Sequence, residues 1–421
     1  MAHFLQNPRS SCALGGAFAT VSRVDGIAPI YHTGPGCGLQ TASTGGYPTN
    51  FVGSGIPCSN MLEKNVVFGG VNRLRDEING ALELIDTDMF YILTGCAADI
   101  IGDNTTDLAE EYKDAGVPMV FLETGGFKGN NLIGHQLVME SFANKVADKE
   151  FKKDEKMVNV LGIVPGHELT WAGNLDEITR LLEKLGLKVN TFFVPGQGVA
   201  SIRRSSSAAL NIILSPWLCK SAEKAYADNF GIPSYRYPGT PIGPTATGEF
   251  LRGVGKALQL DKELVEKVIA EEEIRVYAYL EAAARNITRH HIGVVGDTNT
   301  ALAATRFLTN DYNQIPRVVI ITDDVAKKAD KESILAEFDK LEIAVKPEVV
   351  FEGDQFKIRE KLKSYDLTMI LGSTYEKETA GELGIAQATI SMPSTDRVVL
   401  NHKYAGYEGC ITLVEDTYYN Y

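Results

Sequence analysis

The chain has 421 residues, 41 basic and 54 acidic side chains, a formal net charge of −13, 44% hydrophobic residues and 40 glycines. That length exceeds the ~250–300 residues at which single cores stop growing, so two or three domains are expected, and 23% charged residues is ordinary for a folded chain rather than a disordered one. The acidic balance speaks against nucleic acid as a partner, and no window approaches the ~20 apolar residues of a membrane span.

In chain order, short β-branched or aromatic runs alternate with turns and amphipathic stretches. The runs are Ile27-Ala-Pro-Ile-Tyr-His32, Met89-Phe-Tyr-Ile-Leu-Thr94, Val117-Pro-Met-Val-Phe-Leu122, Met157-Val-Asn-Val-Leu-Gly-Ile-Val164 and Lys188-Val-Asn-Thr-Phe-Phe-Val194. Ala209-Leu-Asn-Ile-Ile-Leu214, His291-Ile-Gly-Val-Val-Gly296, Arg317-Val-Val-Ile-Ile-Thr322, Glu348-Val-Val-Phe351 and Leu367-Thr-Met-Ile-Leu-Gly372 complete the series. Runs apolar on both faces and spaced by helix-length segments read as parallel strands in βαβ units. A Lys/Asp/Glu-rich stretch at 144–156 and a long charge-laced helix over 261–285 punctuate the pattern. The expected fold is therefore α/β: three doubly wound, Rossmann-like domains with mostly parallel sheets around a central cleft, spanning 1–155, 156–285 and 286–421, with ligands at the carboxyl ends of strands.

No G-x-x-x-x-G-K-[ST] motif is present, so the chain is not expected to hydrolyse ATP itself. Gly196-Gln-Gly198 and Gly293-Val-Val-Gly296-Asp297 each follow or end a strand and offer phosphate-cradling turns, although a glycine there is more often a tight turn. The N-terminus has no basic stretch leading into an apolar one, so a secretion signal is not expected. Six cysteines in a chain this long make no disulfide scaffold; a reducing cytoplasm is expected, with any special cysteine a ligand or nucleophile.

No C-x-x-C occurs, which disfavours zinc ribbons and simple ferredoxin sites. Cys12 in Arg9-Ser-Ser-Cys-Ala-Leu-Gly-Gly16, Cys37 in Thr33-Gly-Pro-Gly-Cys-Gly38 and Cys96 in Leu93-Thr-Gly-Cys-Ala-Ala-Asp99 all lie in glycine-bearing breaks, read as loops. There backbone can approach a bulky group and amides can reach a sulfur, as iron-binding thiolates require. Context alone leaves buried, inert thiols as the competing reading. Cys58 sits in the same cysteine-rich quarter, and its role is open. Cys219 follows Pro216-Trp-Leu218 as a strand end or helix start, and Cys410 reads as packed. His290 and His291 read as a solvated pair and His402 as structural, while His32 and His167 stand at strand ends and are candidates to line a cleft, although satisfied loop histidines are commoner.

The order Cys12, Cys37, Cys96, spaced by 25 and then 59 residues, comes with Val67-Phe-Gly-Gly70 and Thr94-Gly-Cys-Ala-Ala-Asp-Ile-Ile-Gly-Asp103. Leu214-Ser-Pro-Trp217, Thr240-Pro-Ile-Gly243 and Gly372-Ser-Thr-Tyr375 follow, then Asp396-Arg397 and Gly406-Tyr-Glu-Gly409. Together these resemble the component 1, molybdenum–iron protein-like, subunits of nitrogenase and its relatives, in their β-type form. The resemblance implies that Cys12, Cys37 and Cys96 bind an iron–sulfur cluster, P-cluster-type [8Fe–7S] or [4Fe–4S], at an interface between subunits. It implies an α-like component 1 partner in an α2β2 heterotetramer, an active-site metal cofactor in that partner, and a separate ATP-hydrolysing iron protein that delivers electrons.

Two departures are visible. Thr124-Gly-Gly-Phe127 puts Gly126 where the family carries a serine, and Gly38-Leu-Gln-Thr-Ala-Ser-Thr-Gly-Gly-Tyr47 lacks the Arg- and His-bearing text of dinitrogen reducers. Both favour a nitrogenase-like reductase, such as a methylthio-alkane (C–S bond) or tetrapyrrole reductase, over dinitrogen reduction. An assembly scaffold for an iron–sulfur metallocofactor is the alternative from another class, and a metal-free α/β binding protein is a third.

Overall fold

The computed structural model describes residues 5–44, 56–284 and 289–418. Three sheets follow one another along the chain, and every pairing between their strands is parallel. The first contains β1 (Ile27–His32), β2 (Met89–Thr94) and β3 (Met119–Glu123) in that order. The second contains β4 (Asp154–Leu161), β5 (Lys188–Asn190), β6 (Ala208–Leu214) and β7 (Ser234–Tyr237), arranged β5-β4-β6-β7. The third contains β8 (His291–Gly296), β9 (Ile315–Ile321), β10 (Glu348–Phe351), β11 (Met369–Gly372) and β12 (Ala386–Thr389), arranged β10-β9-β8-β11-β12. β1 and β2 are buried at every residue, as apolar runs covered on both faces must be.

In the second and third sheets the chain leaves the first strand to one side and returns on the other, creating a topological switch point beside β4 and beside β8. The first sheet does the same. A short segment through Cys58 pairs with Tyr31 on the side of β1 away from β2, with Tyr31 N–H donating to Pro57 O at 2.7 Å and Ser59 N–H to Tyr31 O at 2.9 Å. The crevice at the carboxyl ends of β1 and β2 is therefore a switch point, the position where open α/β sheets bind ligands.

One close helix crossing fixes the start of the chain. Helix Ala13–Val21 packs on helix Asn131–Ser141 through Gly16 and Gly134. A Cβ on Gly16 would lie 1.9 Å from Asn131 O, and one on Gly134 would lie 2.0 Å from Ala13 O. Gly16 thus serves backbone-to-backbone packing rather than the approach of a bound group. The C-terminal helix Gly406–Tyr418 returns to pack on helices Trp171–Lys184, Gly243–Ala257 and Lys262–Ala284 beside the second sheet.

The strand reading needs three corrections. β5 ends at Asn190 instead of running to Val194, because Phe192 adopts a φ of 71°. Its ring and that of Phe193 turn inward against Phe142 and Trp171. β7 and β12 are additional edge strands, Ser-Tyr-Arg-Tyr and Ala-Gln-Ala-Thr, whose polar content masked them. His290 is buried against Thr368 Oγ1 at 3.0 Å rather than solvated, because its own N–H is taken by Gln314 Oε1 at 2.7 Å where β8 begins.

The two glycine-rich turns are structural. Gly198 lies against the backbone of Asp25, where a Cβ would come within 2.4 Å of Asp25 O. Asp297 caps helix Thr298–Asn310 by accepting from Thr300 N–H at 2.9 Å, and Asp323 accepts from Thr298 N–H at 2.9 Å. Two carboxylates already occupy that helix end, which disfavours a phosphate there. Among the described residues no helix is long and apolar enough to cross a membrane.

Candidate metal centre

The three cysteines named by sequence stand at helix starts rather than in open loops. Cys12 is the N-cap of helix Ala13–Val21, and Cys96 is the first residue of helix Cys96–Ile101. Cys37 lies in the first turn of helix Pro35–Thr44, correcting the loop expected around it; Pro35 at the helix start and two glycines conceal a helix from propensity. Amide N–H groups at a helix start point toward an anion, and thiolates are anions.

Strand order brings two of these helix starts together. Cys37 follows β1 and Cys96 follows its neighbour β2, whose ends are tied by Gly95 N–H donating to His32 O at 2.9 Å. Cys12 is delivered by an isolated antiparallel bridge to Asn130, with Ala13 N–H donating to Gly129 O at 2.9 Å and Asn131 N–H to Ser11 O at 2.8 Å. The turn after β3 then passes between Cys12 and Cys96. A Cβ placed on Gly126 would lie 3.1 Å from Cys96 Sγ, 3.3 Å from Cys12 Cβ and 3.7 Å from Cys12 Sγ. Gly126 N–H itself donates to Cys96 Sγ at 3.1 Å. Cys37 stands in the first turn of helix Pro35–Thr44, which follows the adjacent strand β1. Among the described residues, no three His, Cys, Asp or Glu side chains gather to hold a single metal ion.

Exposure divides the six thiols. Cys12 and Cys37 are exposed, Cys96 is half-buried, and Cys58, Cys219 and Cys410 are buried. Burial pushes the Cys58 thiol up, with smaller upward contributions from Glu77 and Cys37; its N–H donates to Glu77 Oε1 at 3.0 Å. Burial pushes Cys219 up to about 12, and raises Cys410 as well. Buried thiols raised this way behave as small apolar side chains.

Large apolar side chains close to the candidate thiols are exposed. Leu39, Val67, Phe68, Ile100 and Phe127 are exposed there by 67% or more, all within four residues of a candidate thiol or Gly126 or in helix Glu63–Phe68, which packs on helix Cys96–Ile101. Apolar exposure on this scale beside polar groups marks an interaction surface. His32 anchors it from below: Nδ1 meets Ser59 Oγ at 2.9 Å and Nε2 meets Asp103 Oδ2 at 3.0 Å, while Asp103 also accepts Gly70 N–H. Burial lowers the His32 pKa, with Asp103 opposing the shift, so the ring is read as a neutral strut.

A second polar centre lies where the ends of β4 and β8 converge. His167 Nε2 meets Asp323 Oδ1 at 2.8 Å, and Glu168 Oε1 accepts from Val164 N–H at 2.8 Å and from Asn299 Nδ2 at 3.0 Å. A cavity of about 170 Å³ adjoins it, lined by Arg9, Ser11, Asn131, His167, Met392 and Pro393 among others. His167 borders this cavity and is at the same time a satisfied loop histidine, its Nδ1 meeting Asn131 Nδ2 at 3.0 Å.

Residues 12–420 match the family model described as nitrogenase component 1 type oxidoreductase. The chain belongs to that family. It is 23% identical over 440 residues to a nitrogenase molybdenum-iron protein beta chain of Clostridium pasteurianum, an alignment covering 97% of this chain and 92% of that one. It is 22% identical over 422 residues to a nitrogenase iron-molybdenum cofactor biosynthesis protein NifE of Methanococcus maripaludis, covering 96% and 81%. The solved structure titled "Nitrogenase Cp1 at pH 6.5" superposes with a TM-score of 0.83 at 21% identity, covering 99% of this chain and 93% of that chain. The three doubly wound parallel sheets are thus a component 1 fold.

Component 1 proteins bind iron–sulfur clusters, and the residues here suit such a group. Two exposed thiols and one half-buried thiol stand at helix starts, and one sulfur already accepts a backbone N–H. The turn between Cys12 and Cys96 carries no side chain at Gly126, so backbone lies directly against both thiols. Sequence reasoning did not anticipate the His32–Asp103 strut or the buried Arg9 anchor described below. Each joins residues far apart in the chain, and neither has a local motif.

Proposed function

We propose that this chain is the β-type subunit of a nitrogenase-like, ATP-dependent reductase, with Cys12, Cys37 and Cys96 holding a P-cluster-type or [4Fe–4S] cluster where it meets an α-like partner. The observation that carries this reading is the approach of Cys12 and Cys96 to Gly126 beside the ends of β2 and β3, with Leu39 and Phe127 exposed close to these residues in the chain. A bound cluster supplies one-electron redox chemistry between a separate ATP-hydrolysing iron protein and a metal cofactor in the partner. This chain's residues bind it, direct N–H groups at its sulfurs and seal it against a second subunit; no acid or base of the chain is required. Three thiolates leave a four-iron cluster short of one ligand and an eight-iron cluster short of a second set, so a partner chain completes the site. The departures at Gly126 and 38–47 favour a C–S bond substrate of the methylthio-alkane type, or a tetrapyrrole, over dinitrogen.

Likeness to a relative named as a cofactor biosynthesis protein supports a second reading, an assembly scaffold built around the same three thiols. Purification without oxygen, identification of the co-purifying chain, iron and sulfide analysis and EPR test the cluster. The relay reading expects reduction by an iron protein with ATP hydrolysis; the scaffold reading expects loss of iron to an acceptor apo-protein. A folded, colourless, iron-free complex would overturn both.

A further inference from the structure

We infer that the outer edge of the first sheet is a docking site for an extended acidic segment of a partner protein, which adds as a further strand beside β3 under the control of Lys145. The edge is open. Phe90 N–H donates to Pro118 O at 2.9 Å, and the parallel ladder then turns alternate residues of β3 toward β2, leaving the peptide groups of Met119 and Phe121 facing outward. Among the described residues neither outward N–H has a hydrogen-bond partner. Beside this edge lies a cavity of about 680 Å³, bordered by helix Thr105–Asp114, the turn Phe142–Val146 and the end of helix Val199–Arg204. It reaches Met89 and Gly116, at the amino ends of β2 and β3, and so stands apart from Cys96 and Gly126 at their carboxyl ends. An unpaired strand edge next to open space is a template for another strand.

Charge selects the kind of strand. In a chain of net charge −13, the cavity is lined by Lys113, Lys145 and Arg203 but by a single carboxylate, Glu110. Among the described residues none of these three cations forms an ion pair, and Glu123, which attracts Lys145, is already held by Lys128 at 2.8 Å. Lys145 also explains why the edge does not pair indiscriminately. Its Nζ donates to Phe121 O at 2.7 Å, so an ammonium stands on an outward carbonyl in the middle of the strand. An incoming strand without an acid must strip that ammonium of its acceptor. An acid on the strand gives Lys145 a new partner and frees the carbonyl for a main-chain N–H. Val117, Met119 and Phe121 supply apolar walls for the strand's remaining side chains.

The test uses the assembled complex purified without oxygen and a short labelled peptide alternating valine with glutamate, compared with versions carrying lysine or threonine in place of glutamate. The glutamate peptide is expected to bind with an affinity that falls as salt rises, and to slow amide exchange at Met119 and Phe121. The lysine peptide is expected to bind at least about tenfold more weakly, and Lys145→Glu in the chain to narrow or reverse that order. Lys145→Ala is expected to cut the preference for glutamate over threonine by about tenfold while the iron content of the complex stays at the parent's level. Failure of the glutamate peptide to bind, or binding that leaves exchange at Met119 and Phe121 unchanged, would overturn the proposal. Pyrophosphate that displaces the peptide completely, with no change of exchange along β3, would make the cavity a small-anion site and overturn the added strand. Peptide preferences indifferent to both changes at 145 would overturn the control assigned to Lys145.

Discussion

His32 Nε2 lies 3.0 Å from Asp103 Oδ2, and this contact ties together two of the segments that carry the candidate thiols. His32 ends β1 immediately before the Cys37 helix, and Asp103 follows the Cys96 helix. Asp103 also accepts Gly70 N–H, which holds the end of the exposed Val67-Phe68 helix. Asp103→Ala strips both His32 and Gly70 of their partner in a buried setting. Leaving buried donors unsatisfied costs about 1–3 kcal/mol each. We expect a loss of about 2–4 kcal/mol in chemical denaturation, with faster amide exchange confined to the segments around 32, 70 and 103. Exchange that rises uniformly across all three sheets would contradict a local strut.

The thiols separate into two classes by exposure, so substitution should separate them too. Cys12→Ala, Cys37→Ala and Cys96→Ala are each expected to cut the iron of the anaerobically purified complex by at least half. Cys410→Ala, a buried thiol donating to Tyr407 O at 3.1 Å, is expected to keep its iron while losing about 1–2 kcal/mol of stability to the small cavity it leaves. Loss of a ligand should also weaken association with the partner, because metal-binding energy is partly assembly energy. Equal iron loss in all four variants would refute the ligand assignment.

Much of this was legible in sequence because local chemistry and global topology agree. Apolar runs such as Met89–Thr94 and Ala209–Leu214 form parallel strands, and all ten runs contain one. Cys12, Cys37 and Cys96 stood out because glycines flank them, although those glycines do different jobs. Gly16 seats one helix on another and Gly95 makes room for Thr33 Oγ1, whereas a Cβ on Gly36 would meet nothing within 4 Å. What remained hidden depends on distant partners. The helix around Cys37 opens with Pro-Gly-Cys-Gly, a poor helix sequence. His290 looked solvated beside His291, yet Thr368 and Gln314, dozens of residues away, bury it. Glu168 carries no motif, Asp297 was met only as the end of a glycine-bearing turn, and the two act on each other only once the folded chain brings them together.

That cleft predicts how stability depends on pH. Burial, with Asp297 adding, raises the Glu168 pKa to about 8; burial, with Asp323 adding, raises Asp297 to about 6. For His167, burial alone would lower the pKa, but Asp323, Asp297 and Glu168 outweigh it and raise it to about 9. All three groups bind protons more tightly when folded, so their contribution is present at low pH and lost as pH rises. Asp323 runs the other way: His167 and Thr298 overcome its burial and lower its pKa, so its contribution fades only in acid. We expect stability to fall between pH 5 and pH 9. Glu168→Gln retains an oxygen to accept from Val164 N–H and Asn299 and removes the titration. It should flatten the fall between about pH 5 and pH 8. An unchanged slope in the variant would show that Glu168 does not titrate in that range.

Arg9 gives the last prediction, because it joins the first thiol to the third sheet. Its side chain is 4% exposed and its partner Glu376 is fully buried. The guanidinium spans Glu376, Gln355 and Ser373, with Nη1 2.9 Å from Ser373 Oγ, and stacks over Tyr375 at 5.3 Å. Ser373 N–H also donates to Glu376 at 2.7 Å, so the carboxylate is saturated with donors while Arg9 is present. Arg9→Ala leaves that charge buried without its counter-ion, which typically costs about 3–5 kcal/mol. Cys12 is three residues beyond Arg9, and the intervening backbone is tied to Asn131. We therefore expect Arg9→Ala to reduce iron retention as well as stability. Arg9→Ala with Glu376→Gln removes the stranded charge and should recover much of the stability. It leaves the segment before Cys12 unanchored, so iron retention should stay low. Recovery of both together would mean that the ion pair acts only on the fold and does not place the thiol.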